Sequence, residues 1–210
     1  MKPNFSLKKI AVLFADKKFY LASFLVCFAT FSNFFMSEMI EKWFPFRVPA
    51  TDLLFTILPY INWTQYITDI AVIFSAIFLF TYINKYDYKH LPYYVMVFAA
   101  AYFLRALIIP LTPLGDAFAS RVTYGITNIQ QHGAFPSGHT AMAAVSYLLV
   151  DKLRSPGIKK ILLWLLIFEI ASLLLSRGHY SIDIVGGLLI SYFAFNELKK
   201  YKAYFSLKDA

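Results

Sequence analysis

"KILLWLLIFEIASLLLSRGHYSIDIVGGLLISYFAF", residues 160–195, sets one polar cluster between two apolar runs. About 20 apolar residues carry an α-helix across a bilayer. The runs 160–176 and 180–196 are read as two such spans. The cluster between them, "SRGHYSID" at 176–183, holds an arginine, a histidine and an aspartate. Polar groups of this kind are costly in an apolar setting unless they are paired or face water.

Outward from this pair, four more spans are expected, at 19–36, 65–83, 92–111 and 135–151. The expected fold is therefore all-α, a polytopic membrane protein with a six-transmembrane helical bundle. Residues 1–18 form a basic leader and 19–210 a single domain. Between the first two spans, "VPATDLLFTILPYINW" is too short to cross and reads as an interfacial segment anchored by Trp63. The composition agrees, at 59% hydrophobic and only 15% charged. A soluble domain would carry far more charge.

The net charge of +8 would suggest nucleic acid in a soluble protein. Here the cations lie between apolar runs and read as an orientation signal instead, so no nucleic-acid partner is expected. Lys2, Lys8, Lys9, Lys17 and Lys18 lie in the leader, Lys85 and Lys89 in loop 84–91. Lys152, Arg154, Lys159 and Lys160 follow in loop 152–160, and Lys199, Lys200, Lys202 and Lys208 in the tail. Six spans put all four segments on one side, which is then cytoplasmic together with both termini. The leader, with Phe5, Leu7, Ile10, Leu13 and Phe14 beside its lysines, suits an anionic inner leaflet. The first apolar stretch is read as a retained helix, not a cleaved signal. The single cysteine, Cys27, is expected to be a small buried hydrophobe.

At the start of the sixth span, His179 and Asp183 are four residues apart and share a helix face. A carboxylate on one ring nitrogen fixes the tautomer and leaves the other nitrogen free as nucleophile or base. "GAFPSGHT", 133–140, is a turn into a helix whose free N–H groups suit an anion, with His139 at that point. Both starts lie at the outer face, so two histidines, a carboxylate and an anion-binding turn can converge there. That set suits in-line phosphoryl transfer. Arg105 lies inside the third span near the same level and could hold a phosphate.

At these residues the sequence resembles the type 2 phosphatidic acid phosphatase superfamily. The family shows Lys-x6-Arg-Pro, then Pro-Ser-Gly-His, then Ser-Arg-x5-His-x3-Asp. Pro136-Ser137-Gly138-His139 matches the second motif, and His179 and Asp183 match the end of the third. Arg105 stands in place of the first lysine, with Thr112 and Pro113 where the family has Arg-Pro. The third motif's arginine falls on Leu173, and Arg177 lies two before the histidine instead. These departures resemble the sphingomyelin synthase branch, as does the Leu58–Trp63 stretch.

The resemblance implies that His179 attacks phosphorus to form a phosphohistidine, Asp183 orients it, and His139 protonates the leaving alcohol. Arg105, the backbone of Ser137 and Gly138, and Arg177 would hold the phosphate oxygens. No metal and no cofactor are implied. The partners are a phospholipid donor and a lipid alcohol or water as acceptor.

A site with fewer cations than the phosphatase pattern suits a phosphodiester better than a dianionic monoester. The expected reaction is therefore head-group transfer from a phospholipid to a lipid alcohol. The alternative is a phosphatase hydrolysing phosphatidic acid-like or isoprenoid phosphates, which Arg121 would favour as a third cation. A transporter using Asp69 and Glu169 is the non-enzyme reading. Gly186 and Gly187 are read as packing residues, Tyr180 and Ser181 as pocket or interface residues, His90 and His132 as loop histidines. The expected location is a bacterial inner membrane with the site facing the periplasm or outside.

Overall fold

The computed structural model describes residues 7–115, 117 and 135–207, and among them there is no strand. A short helix, α1 (Leu7–Ala15), leads into the long α2 (Lys17–Trp43). Asp16 caps α2, accepting from the Lys18 N–H at 2.8 Å. A single-turn helix, α3 (Leu53–Ile57), follows, capped by Asp52. Then come α4 (Gln65–Tyr82), α5 (Leu91–Ile108), α6 (Gly138–Leu149), α7 (Pro156–Leu175) and α8 (Ser181–Lys199). Prolines in the first turns of α5 and α7 stand where a missing N–H costs nothing.

The six longer helices alternate in direction. At one end Asp87, in the turn between α4 and α5, accepts from Lys202 at 2.7 Å and Arg154 at 3.1 Å. Lys18 Nζ donates to the Ser206 carbonyl there at 3.0 Å. His90 belongs to this cluster, its Nδ1 lying 2.7 Å from Asp87. At the other end the Ile61 N–H donates to the Leu175 carbonyl at 2.8 Å, and the Ser137 N–H to the Asp183 carbonyl at 2.9 Å. The ends are thus a basic one and a histidine one.

Each helix turns small or polar residues inward. The buried positions of α2 are Ala22, Ala29, Asn33, Ser37 and Ile40; those of α4 are Thr68, Ala71, Ser75, Leu79 and Tyr82. Both sets recur at three- and four-residue steps, one helix face each. The outward faces carry Phe24, Phe31, Phe80, Trp164, Phe168 and Leu189, all exposed. Close packing through small residues with large apolar groups outside is the pattern of a bundle solvated by lipid. Cys27 follows this inversion: it is exposed on α2 and is not a buried hydrophobe.

Among the described residues three segments are long and apolar enough to cross a membrane: Lys17–Trp43, Asn62–Leu111 and Ser181–Lys199. The second contains α4, α5 and the reversing turn between them. The fourth expected span is shorter in the structure. The 12 residues of α6 are about 18 Å long, against a hydrocarbon core of about 30 Å. The extended Val150 ends the helix at one side and the Pro136–Ser137 turn begins it at the other.

Candidate active site

Two helix starts meet at the histidine end. Ser137 caps α6, its Oγ accepting from the Thr140 N–H at 3.2 Å. At the start of α8 one oxygen of Asp183 accepts from the Tyr180 N–H at 2.9 Å. The same Oδ2 lies 3.2 Å from Nδ1 of His179. An ionised carboxylate only accepts, so the proton of His179 sits on Nδ1 and Nε2 keeps its lone pair. The turn holding His179 is buried, and burial pushes its pKa below the ordinary histidine value, against the pull of Asp183. The ring is therefore neutral and nucleophilic near pH 7.

The ring of His139 stands edge-on to that of His179, with centroids 6.1 Å apart. Its Nε2 lies 3.4 Å from Oδ1 of Asp69, on α4. A carboxylate there can orient the ring and accept its N–H. Each histidine thus has its own carboxylate.

The two starts are also fused by close approach. A Cβ on Gly187 would lie 2.8 Å from the Ser137 carbonyl oxygen, so only glycine lets α8 lie against the Pro-Ser-Gly-His turn. Arg105 supports that turn from beneath and is 3% exposed. Its Nε donates to the Pro136 carbonyl at 2.7 Å and its Nη1 to Oδ1 of Asn33 at 2.8 Å. A Cβ on Gly138 would be 3.3 Å from Arg105 Nε. Behind His139, Thr140 Oγ1 donates to the fully buried Glu169 at 3.2 Å.

The structure therefore brings together His139, His179, Asp183, Ser137, Gly138 and Arg105. It does not bring Arg177 to them. Arg177 Nη2 donates to the Phe55 carbonyl at 3.0 Å, and its guanidinium lies over the rings of Phe55 and Tyr60. Arg121 and His132 fall outside the described residues. Sequence reasoning gave Asp69 no partner and missed Asn33 and Asp52. Asp69 carried a signal, a carboxylate in an apolar run. Asn33 carried none that separates it from any polar residue in a span.

Residues 135–201 match the family model described as PAP2 superfamily C-terminal. The chain is also similar to phosphatidylcholine:ceramide cholinephosphotransferase 2 of Caenorhabditis elegans, 26% identical over 201 residues. That alignment covers 79% of this chain and 60% of the relative, so the chain spans about three fifths of that protein. The apolar helices suit an integral membrane protein. The family-model match takes in both the Pro136–His139 turn and the His179–Asp183 pair, and the two matches together support a likeness to the PAP2 superfamily, in its sphingomyelin synthase-like branch.

Proposed function

We propose that this protein moves a phospho-head group from a phospholipid to a lipid alcohol through a phosphohistidine on His179. The observation that carries the reading is the line Asp183–His179–His139–Asp69, two adjoining carboxylate–histidine pairs with one ring buried and the other half-exposed. Two such pairs suit two roles, nucleophile and proton carrier.

In the first step Nε2 of His179 attacks phosphorus and the bond to the glycerol oxygen breaks. The proton on His139 passes to that oxygen, and diacylglycerol leaves. In the second step the acceptor hydroxyl gives its proton to His139 and its oxygen attacks phosphorus. The P–N bond breaks and His179 returns to its starting form. Arg105 holds the Pro136 carbonyl, and with the N-terminus of α6 at Ser137 and Gly138 it sets a positive field for the phosphate oxygens. The bundle crosses six times, both termini lie in the cytoplasm and the histidine end faces outward. A bacterial inner membrane is the setting that fits.

The test uses the purified chain in liposomes of mixed phospholipids with diacylglycerol and ceramide, every lipid being followed by mass spectrometry. Wild type is expected to form a new lipid bearing a transferred head group, and His179→Ala to form none. Free phosphate or a free phosphorylated head group without a new lipid would make water the acceptor and the protein a hydrolase. Identical traces for both proteins would defeat the site itself.

Asp69→Asn tests the second pair. Turnover is expected to fall about a hundredfold, the lower end of the range of acid–base catalysis. The loss should appear in kcat, because Asp69 orients His139 and does not bind the lipid tails. A wild-type kcat in Asp69→Asn would refute this role.

A further inference from the structure

We propose that Arg177 is a positioning residue that clamps α3 over the turn carrying His179, rather than a ligand of the substrate phosphate. The proposal rests on the reading of His179 as nucleophile.

Arg177 ends α7 in a place where glycine is the physical default. Its φ is 54°, in the left-handed region, and it is the only non-glycine residue with positive φ among those described. The Arg177 N–H bonds the Leu174 carbonyl at 3.2 Å and the Gly178 N–H bonds the Leu173 carbonyl at 2.9 Å. That is a helix end whose left-handed position usually holds glycine. A strained arginine there points to a use for its side chain.

The use visible in the structure is α3. Nη2 holds the Phe55 carbonyl, and Cζ lies 5.7 Å from the Phe55 ring centroid and 5.5 Å from that of Tyr60. The same segment grips the other side of His179. Asp52 Oδ2 accepts from the Ser181 N–H at 2.6 Å. The Ala50 N–H donates to the Tyr180 hydroxyl at 3.0 Å, and the Phe55 ring stacks on Tyr180 at 5.7 Å. Residues 50–60 thus strap the nucleophile's turn from both flanks. Leu53 and Ile57 of α3 are 73% and 66% exposed, so little besides this turn holds the strap to the bundle.

The planar guanidinium matters here, because it stacks and donates at once, which an ammonium does not. Without it the strap loosens and the turn loses its fixed aim. A displacement of about 1 Å at a reacting atom lowers rate by about a hundredfold.

The experiment compares Arg177→Gly, Arg177→Lys, Phe55→Ala and the double variant Phe55→Ala/Arg177→Gly, as full chains in liposomes. Arg177→Gly is expected to melt at or above the wild-type temperature, since glycine relieves the backbone. Its kcat should fall about tenfold to a hundredfold with KM for the donor lipid nearly unchanged. Arg177→Lys should lose kcat as the glycine variant does, without its gain in melting temperature, because lysine keeps the left-handed strain. The double variant should lose more than Arg177→Gly, because Phe55 also stacks on Tyr180, but less than the two single losses combined, because the Phe55–Arg177 contact is shared. Hydrogen exchange at the backbone amides of Ala50, Leu54 and Ser181 should accelerate in Arg177→Gly. That readout does not depend on the reaction, so it tests the clamp even if the functional reading fails. A raised KM that lysine restores, with the losses of Phe55→Ala and Arg177→Gly fully additive, would make Arg177 a phosphate ligand. Unchanged exchange and unchanged kcat would also overturn the proposal.

Discussion

Asp183→Asn is expected to lower turnover by about 10³–10⁴-fold while the protein still folds. Oδ2 of Asp183 receives both the His179 ring N–H and the Tyr180 N–H, at 3.2 and 2.9 Å. Oδ1 is buried with no hydrogen-bond partner among the described residues. An asparagine has two ways to sit there, and neither preserves the site. With its NH2 toward His179, it forces the ring proton to Nε2 and removes the attacking lone pair. With its oxygen toward His179, it places an NH2 group where there is no acceptor. Loss of the correct tautomer costs a factor of about 10⁴ in catalytic triads, which sets the scale. The check is the rate of head-group transfer by mass spectrometry beside a melting curve. A rate within tenfold of wild type, in a protein that melts normally, would remove Asp183 from the mechanism. The rate of wild type should also fall on acidification, with its acid limb below the ordinary histidine value of about 6.5, because burial lowers His179.

Gly187→Val is expected to damage both fold and activity. Even the Cβ of alanine would lie 2.8 Å from the Ser137 carbonyl and 3.0 Å from Thr140 Cβ. The first is backbone and cannot rotate away, so α8 must separate from the turn that carries His139. Overpacking of this kind destabilises by about 1–3 kcal/mol, and valine adds two methyl groups beyond alanine. The separation misaligns the two histidines, so a loss of about a hundredfold in rate is expected as well. Gly157→Ala is the matched control. Nothing lies within 4 Å of a Cβ there, and it should melt at or slightly above wild type. Equal melting temperatures for Gly187→Val and Gly157→Ala would show that the contact is not needed.

The parts of the site legible in the sequence are those set by local spacing. His179 and Asp183 share a helix face because they are four residues apart. Ser137 caps α6 because its hydroxyl oxygen can accept from a free N–H of the turn that follows it. The alternation of basic loops with apolar runs likewise foretold which loops gather at one end. What spacing cannot show is which distant group completes a pair. Asp69 meets His139 across 70 residues, and Asn33 meets Arg105 across 72. The backbone of Arg177 was hidden for a different reason. Its left-handed φ is imposed by the end of α7, where nothing in the residue's own chemistry asks for it. Cys27 was misjudged by carrying a rule from water into lipid, where the outward face is apolar too. The length of α6 was overread because the apolar run takes in Phe135 and Pro136 ahead of the helix and Val150 after it, where the backbone is already extended.

The cluster around Asp87 has a consequence for the order in which the protein is made. Asp87 is 5% exposed, and its cationic partners Arg154 and Lys202 lie 67 and 115 residues further along the chain. Phe205 belongs to the apolar core at the same end, and the Leu207 N–H pairs with the Lys89 carbonyl at 2.8 Å. A growing chain that has already placed α4 and α5 therefore holds an incompletely paired carboxylate until Arg154 and Lys202 have been made. Residues 200–207 act as the closing latch, and they reach back to Lys18, at the start of α2. This end of the bundle is therefore complete only when the segment made after α8 lies across it.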